Sequence, residues 1–240
     1  MSDWRTDARA HAARDYPREA CGLVISRGGK AVYWPCRNMA RGTDHFVMHP
    51  EDYAAAEDAG EVVAIFHSHP DASCKPSEAD RVGCEASRLP WHVLGWPSGQ
   101  WGYCEPCGFK LPLVGRVFQH GVVDCWACVR DGLRELAGIE VQDFHRDDDW
   151  WLRGQNLYME NFEKAGFVRV DGPPQKFDVI LMQVMAPVAN HAALYLGDGV
   201  MLHHLCGRLS RRDVYFGGRG KGYWERNTRA IVRHRSLAGA

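Results

Sequence analysis

The chain has 240 residues, of which 45% are hydrophobic and 25% charged, with a formal net charge of -1 at pH 7. That length allows one large or two small domains, the composition is that of a globular protein, and the near-zero charge argues against nucleic acid as the main partner. No apolar run approaches 18 residues, so no membrane span is expected.

Met1 to Asp7 lack the apolar stretch of a secretory signal. A reducing cytoplasm is therefore the expected setting, and there the nine cysteines read as ligands, nucleophiles or core residues rather than as a disulfide framework. In chain order, residues 3–16 are rich in Ala and Arg and predict a helix that Pro17 closes. Cys21 to Ser26 and Ala31 to Trp34 predict a hairpin around Arg27-Gly28-Gly29-Lys30, which sets Glu19 at the start of a strand. His45 to Met48 predict a short strand, and Pro50-Glu51-Asp52 start a helix that runs to about Ala56.

Val62 to Phe66 read as a buried strand that delivers His67 and His69. At strand spacing i and i+2 both imidazoles point to one face. Ser77, after Pro76, is a good helix N-cap, and Asp80 lies one turn in. Two His from a strand end and one Asp from a helix start make three zinc ligands, with a fourth position left for water. Any one of these residues alone is better read as a polar cap on a strand or helix; the joint spacing carries the metal reading. Trp91 to Gly95 and Gln100 to Tyr103 then predict a hairpin through Trp96-Pro97-Ser98-Gly99.

Pro and Gly in Glu105 to Pro112 mark a linker, giving domains over 1–104 and 113–240 with 105–112 between them. In the second half Asp124 is a plausible N-cap that puts Cys125 at the start of a helix running to about Ala137. There the helix dipole is expected to lower the thiol pKa. Tyr158 to Lys164 predict a second helix and Phe177 to Met182 a strand. His191 to Leu196 form a strand turning at Gly197-Asp198-Gly199 into Val200 to His204, and Arg229 to His234 form the last strand. Cys104-x-x-Cys107 and Cys125-x-x-Cys128 also fit the spacing of a four-cysteine zinc ribbon. Against that, the second pair lies within an apparent helix, where Cys128 reads as a core residue.

The stretch from His67 to Asp80, H-x-H-x(7)-S-x-x-D with Glu19 upstream, resembles the JAMM metallopeptidases. The resemblance implies that His67, His69 and Asp80 hold Zn2+, that Glu19 takes the proton of the zinc-bound water, and that Ser77 helps hold the oxyanion. Asp124-Cys125-Trp126, Phe177 to Ile180, and His191 through His203 resemble the NlpC-type, papain-like cysteine peptidases. That resemblance implies Cys125 as nucleophile, His191 as its base and His203 as the group that orients the imidazole, which is the general triad logic. Trp126 stands where that family usually has a small residue. The fold class implied is two domains, a JAMM-like α/β zinc domain followed by a papain-like α+β domain.

The two motifs in this order resemble the tail-tip assembly proteins of lambda-like bacteriophages. The resemblance implies a peptidase with two sites, acting in the host cytoplasm during assembly or at the virion tail tip. The thiol site would cut cell-wall peptides in peptidoglycan, and the zinc site would process a tail protein, with phage tail-tip proteins as partners. The alternative is a non-enzymatic tail assembly or structural component.

Overall fold

In the computed structural model, residues 3–218 and 220–238 are described, and the chain divides into two units, Met1–Lys110 and Leu111–Ala240. The first unit opens with helix α1 (Trp4–Asp15). Strands β1 (Cys21–Arg27) and β2 (Lys30–Cys36) form the expected hairpin. Helix α2 (Pro50–Ala59), strand β3 (Glu61–Pro70), helix α3 (Glu78–Ser87) and strands β4 (Trp91–Trp96) and β5 (Trp101–Cys104) follow. The sheet order is β2-β1-β3-β4-β5, antiparallel except for the parallel pair β3 and β4.

Alternation along the strands gives this sheet two apolar faces. Leu23, Ile25 and Ile65 meet Ala56 of α2 and Cys84 of α3 on one side. Tyr33, Phe66 and Leu94 meet Ala8 and Ala12 of α1 on the other. The result is an α/β unit with helices on both faces.

The strand expected at His45 to Met48 is not formed; only Met48 makes a single bridge, to Asn38. The Asn38 side chain takes over the pairing instead. Its Oδ1 accepts from Ala40 N and Val47 N, and its Nδ2 donates to the carbonyls of Glu19 and His45. A single amide thus satisfies backbone groups that a ladder would otherwise pair.

Two glycines let the loop after β3 lie flat on the β4–β5 hairpin. A β carbon at Gly102 would stand 1.8 Å from the Cys74 carbonyl oxygen, and one at Gly95 would stand 3.1 Å from the Ala72 oxygen. Close backbone approach of this kind admits no side chain.

The second unit begins with helix α4 (Cys125–Ala137), followed by a 3-10 turn at Trp150–Arg153 and the short helix α5 (Leu157–Asn161). Strands β6 (Phe167–Val170), β7 (Val179–Met182), β8 (His191–Gly197), β9 (Val200–His203) and β10 (Arg211–Val214) lead through helix α6 (Tyr223–Asn227) to β11 (Thr228–His234). They form an antiparallel sheet in the order β10-β9-β8-β7-β11-β6.

α4 packs on this sheet through Val129, Leu133, Leu194 and Leu202, in a core that includes Trp150 and Phe167. Gly132 allows the close approach, since a β carbon there would meet Leu194 Cδ2 at 2.6 Å. The helix expected from Tyr158 to Lys164 stops at Asn161. Strands β6 and β10 had no sequence expectation. Both lie at sheet edges, and β10, Arg-Arg-Asp-Val, carries the charge typical of an edge and so lacks apolar alternation. Among the described residues no helix is long and apolar enough to cross a membrane.

Candidate active sites

In the first unit, β3 carries His67 and His69, and the register places Cys21 of β1 opposite His67. Ala20 continues the pairing, accepting from Ser68 N at 2.9 Å through its carbonyl and donating to Ser68 Oγ at 2.9 Å. This brings buried Glu19 to the level of His69. α3 brings the third member of the cluster, Asp80. Ser77 is its N-cap, with Ser77 Oγ accepting from Asp80 N at 3.1 Å and Asp80 Oδ2 accepting from Ser77 N at 2.6 Å. This reciprocal capping box fixes the Asp80 carboxylate. The Ser77 hydroxyl proton is then free to point elsewhere.

His67 Nε2 and His69 Nε2 are 3.0 Å apart, and each meets an Asp80 oxygen, at 3.1 and 3.2 Å. Ligand atoms 2.0–2.1 Å from a tetrahedral ion stand about 3.3 Å from one another, and the contacts between the two nitrogens and from each to its nearer Asp80 oxygen, Oδ1 for His67 and Oδ2 for His69, are of that order. Among the described residues no other group of three or more His, Cys, Asp or Glu converges in this way.

Donor chemistry agrees. His69 Nδ1–H donates to the Ser73 carbonyl at 2.7 Å, which leaves the Nε2 lone pair facing the cluster, the usual outer support of a metal-bound imidazole. His67 Nδ1 has no partner among the described residues; Phe46 and Trp91 hold its ring at centroid distances of 5.0 and 5.5 Å. Burial lowers the His67 pKa. Burial alone would raise Asp80, but the hydrogen bonds to His67 and His69 hold it well below the carboxylate range. Burial pushes Glu19 up to about 8, against the opposing pull of His69.

In the second unit Asp124 caps α4, Oδ1 accepting from Ala127 N at 2.9 Å. Asp124 is itself held by Gly121 N at 3.0 Å and by Arg146 Nε at 2.8 Å. Cys125 therefore starts the helix, as expected, but its thiol is not activated at rest. Burial and the neighbouring Asp124 carboxylate push it up to about 11, outweighing the Tyr158 hydroxyl, the Ala192 N–H and Arg146. The helix-dipole expectation of a lowered pKa thus fails, because burial of the thiol, with the Asp124 carboxylate beside it, outweighs what the half-charge of the helix end returns.

Tyr158 is the residue that sequence reasoning missed: its hydroxyl lies 3.1 Å from Cys125 Sγ. Its position in an apolar-aromatic stretch gave no signal beyond core packing. Trp126 is buried against Tyr158 and Phe167 in the core.

β8 and β9 bring His191 and His203 together, with His191 Nε2 and His203 Nδ1 3.1 Å apart. Trp224 packs over both rings. Among the described residues no hydrogen bond joins Cys125 to His191; with Nε2 turned to His203, Nδ1 is the nitrogen left to receive a proton. His204, next in sequence, is buried with neither ring nitrogen paired by geometry among the described residues, its ring edge-on to Phe118.

Burial, reinforced by neighbouring imidazoles, pulls His191 down to about 3. Burial likewise lowers His203 to about 4, with Asp213 opposing. Above pH 6.5, the ordinary value, both rings are neutral whether the chain is folded or not. Below it the unfolded chain binds protons that the folded chain refuses, so stability drains as the pH falls from 6.5 towards 4. The expected loss is of the order of a few kcal/mol. Urea unfolding at a series of pH values should show a steeper decline in this window for the wild type than for a His191→Gln/His203→Gln double variant; equal slopes would contradict the buried neutral pair.

Known proteins resemble the chain in the same two blocks. The family model described as prokaryotic homologs of the JAB domain matches residues 1–103, and that of the NlpC/P60 family matches residues 115–233. The tail tip assembly protein K of Escherichia phage N15 is 46% identical over 233 residues, covering 96% of this chain and 93% of that protein. The protein of the same name from Escherichia phage lambda is 44% identical over 190 residues, covering 79% of this chain and 90% of its own. The CysO-cysteine peptidase of Mycobacterium tuberculosis (strain ATCC 25618 / H37Rv) is 35% identical over 79 residues, 30% of this chain and 54% of that peptidase.

Proposed function

The chain belongs to the tail tip assembly protein K family, and from that premise we propose that it is a two-site peptidase of phage tail assembly. The C-terminal site cuts peptides of the host cell wall, and the N-terminal zinc site processes a tail-tip protein in the host cytoplasm. The observation that carries this reading is the presence, in one chain, of a converging His67–His69–Asp80 cluster and of a helix-start Cys125 in the same unit as a bonded His191–His203 pair.

In the N-terminal site His67, His69 and Asp80 would hold Zn2+. Zinc, when bound, supplies Lewis acidity and a water whose pKa falls to about 7. Glu19 is the proton acceptor: it is buried beside His69, where a carboxylate would take the proton of the water. Ser77 holds Asp80 through the capping box and has its hydroxyl proton left to donate to a developing oxyanion.

In the C-terminal site Cys125 attacks the peptide carbonyl. Because the thiol and the His191 imidazole both rest neutral, proton transfer to His191 Nδ1 accompanies attack instead of preceding it. His203 orients His191 through the 3.1 Å contact. Tyr158 OH donates to the sulfur as negative charge builds there.

The test separates the two sites. Glu19→Gln is expected to block tail maturation while leaving wall-peptide cleavage intact, and Cys125→Ala to do the reverse. Complementation of tail assembly and muropeptide cleavage, read in parallel, check this; a Glu19→Gln protein that supports normal tail maturation would overturn the zinc half.

A further inference from the structure

The His191–His203 pair has two ring protons and more than one way to place them. For His191 Nδ1 to accept a proton from the thiol, it must begin unprotonated, so His191 must carry its proton on Nε2. That Nε2–H points at His203 Nδ1, 3.1 Å away, and His203 Nδ1 must then be an acceptor. His203 in turn must carry its own proton on Nε2. The competence of the base thus depends on what faces His203 Nε2.

His203 Nε2 is buried and makes no hydrogen bond within normal distance. One anionic oxygen faces it: Asp213 Oδ2, at 3.6 Å. Asp213 lies on edge strand β10, on the face it shares with Arg211, the residue in register with His203. Its carboxylate is prepared for the purpose. Oδ1 accepts from Val214 N at 2.9 Å and Oδ2 from Arg211 Nη2 at 2.7 Å. Partial burial pushes the carboxyl up, but these bonds outweigh it and keep the group below the usual carboxylate value. The other groups that bear on His203 are His191, His204 and the Arg211 guanidinium. None of them is an anion, so Asp213 supplies the anionic acceptor that bears on Nε2.

We propose that Asp213 is a positioning residue of the thiol site, selecting the Nε2–H tautomer of His203 and, through it, the Nε2–H tautomer of His191. This rests on the peptidase reading of Cys125 only for its catalytic consequence; the tautomer assignment stands apart from it. The 3.6 Å separation closes to a hydrogen bond in the working state, in keeping with the looser geometry of catalytic contacts before substrate arrives. A residue that acts through the base contributes a share of that base's own effect of roughly 10²–10⁴-fold.

The test reads the tautomers directly, by long-range 1H–15N correlation of the histidine rings in the full-length protein, assigned with His191→Gln and His203→Gln variants. In the wild type the His203 proton is expected on Nε2. Asp213→Leu should move it to Nδ1 or to a mixture, and lower kcat on wall peptide by about tenfold or more, within the roughly 10²–10⁴-fold that a general base contributes, with little change in KM. Asp213→Asn, whose amide oxygen can still accept, should restore the tautomer and much of the rate. Arg211→Ala, which breaks the Arg211–Asp213 ion pair but leaves the carboxylate, should keep the proton on Nε2.

A His203 proton on Nδ1 in the wild type, or a tautomer unmoved in Asp213→Leu, overturns the proposal. An Arg211→Ala protein that loses the tautomer as fully as Asp213→Leu also overturns it, because the ion pair would then be the operative feature. If the tautomers behave as expected but the wild type cleaves no wall peptide, the assignment of Asp213 stands and the peptidase reading falls. If the wild type cleaves but the tautomers do not move, the peptidase reading stands and the assignment of Asp213 falls.

Discussion

Replacing Arg146 by alanine should destabilise the C-terminal unit by about 3–5 kcal/mol, the cost of leaving a buried charge without its partner. Arg146 and Asp124 are both 3% exposed at the side chain. Arg146 donates Nε to Asp124 Oδ2 at 2.8 Å and Nη1 to Asp143 at 2.7 Å, and it also reaches the carbonyls of Phe144 and Gly121. Removing it strands the Asp124 carboxylate in the core and unties the 143–146 segment from the 121–124 turn.

Because Asp124 also caps α4, the damage should extend to Cys125. A carboxylate that relieves its burial by taking up a proton accepts more weakly from Ala127 N, and the first turn of the helix loosens. Urea unfolding followed by near-ultraviolet circular dichroism measures the effect. A loss below about 1 kcal/mol, the range of exposed pairs, would mean that the Arg146–Asp124 pair does not hold the nucleophile's helix. The conservative Arg146→Lys is expected to recover only part of the loss, since a single ammonium cannot reproduce the fork that reaches four residues at once.

The second large effect concerns the metal. Asp80→Ala should lower zinc affinity by more than about a hundredfold, beyond the 10–100-fold expected from losing a mere supporting residue. In the proposed site the carboxylate would provide one of three converging ligand atoms and neutralise part of the dication's charge. It also offsets the crowding of His67 Nε2 and His69 Nε2, which lie only 3.0 Å apart. Ser77→Ala is the matched control. It removes the cap from α3, costing about 1 kcal/mol of stability, but leaves all three ligands, so zinc should still bind. Metal content after dialysis against a fixed chelator distinguishes the two. Equal retention of zinc by Asp80→Ala and the wild type would contradict the assignment of the ligand set.

Sequence and structure agree where local chemistry decides. The i, i+2 spacing of His67 and His69 on a strand, the Pro76-Ser77 helix start and the Asp124 cap are short-range features, and each forms as the residues imply. They diverge where a side chain replaces backbone pairing or where charge hides periodicity. Asn38 does the work expected of a strand at His45 to Met48, and β10 carries so much charge that no apolar alternation marks it.

The same edge strand bears Asp213, which is why the sequence offered His203 as the end of the chain of polar groups. Tyr158 was hidden for another reason. A hydroxyl that meets a thiol 33 residues away in sequence looks, in one dimension, like any other core aromatic. The resting pKa of Cys125 was also out of reach, since it depends on how deeply the helix start is buried. A cap residue favours the helix and disfavours the thiolate at the same time.

The most direct measurement of the two-site peptidase is digestion of purified peptidoglycan by the wild type and by Cys125→Ala, with the muropeptides resolved by mass spectrometry. New peptide fragments are expected from the wild type, none from Cys125→Ala, and undiminished cleavage when zinc is chelated. The same fragments from Cys125→Ala, or no cleavage by a folded wild-type protein, would contradict a thiol peptidase at Cys125.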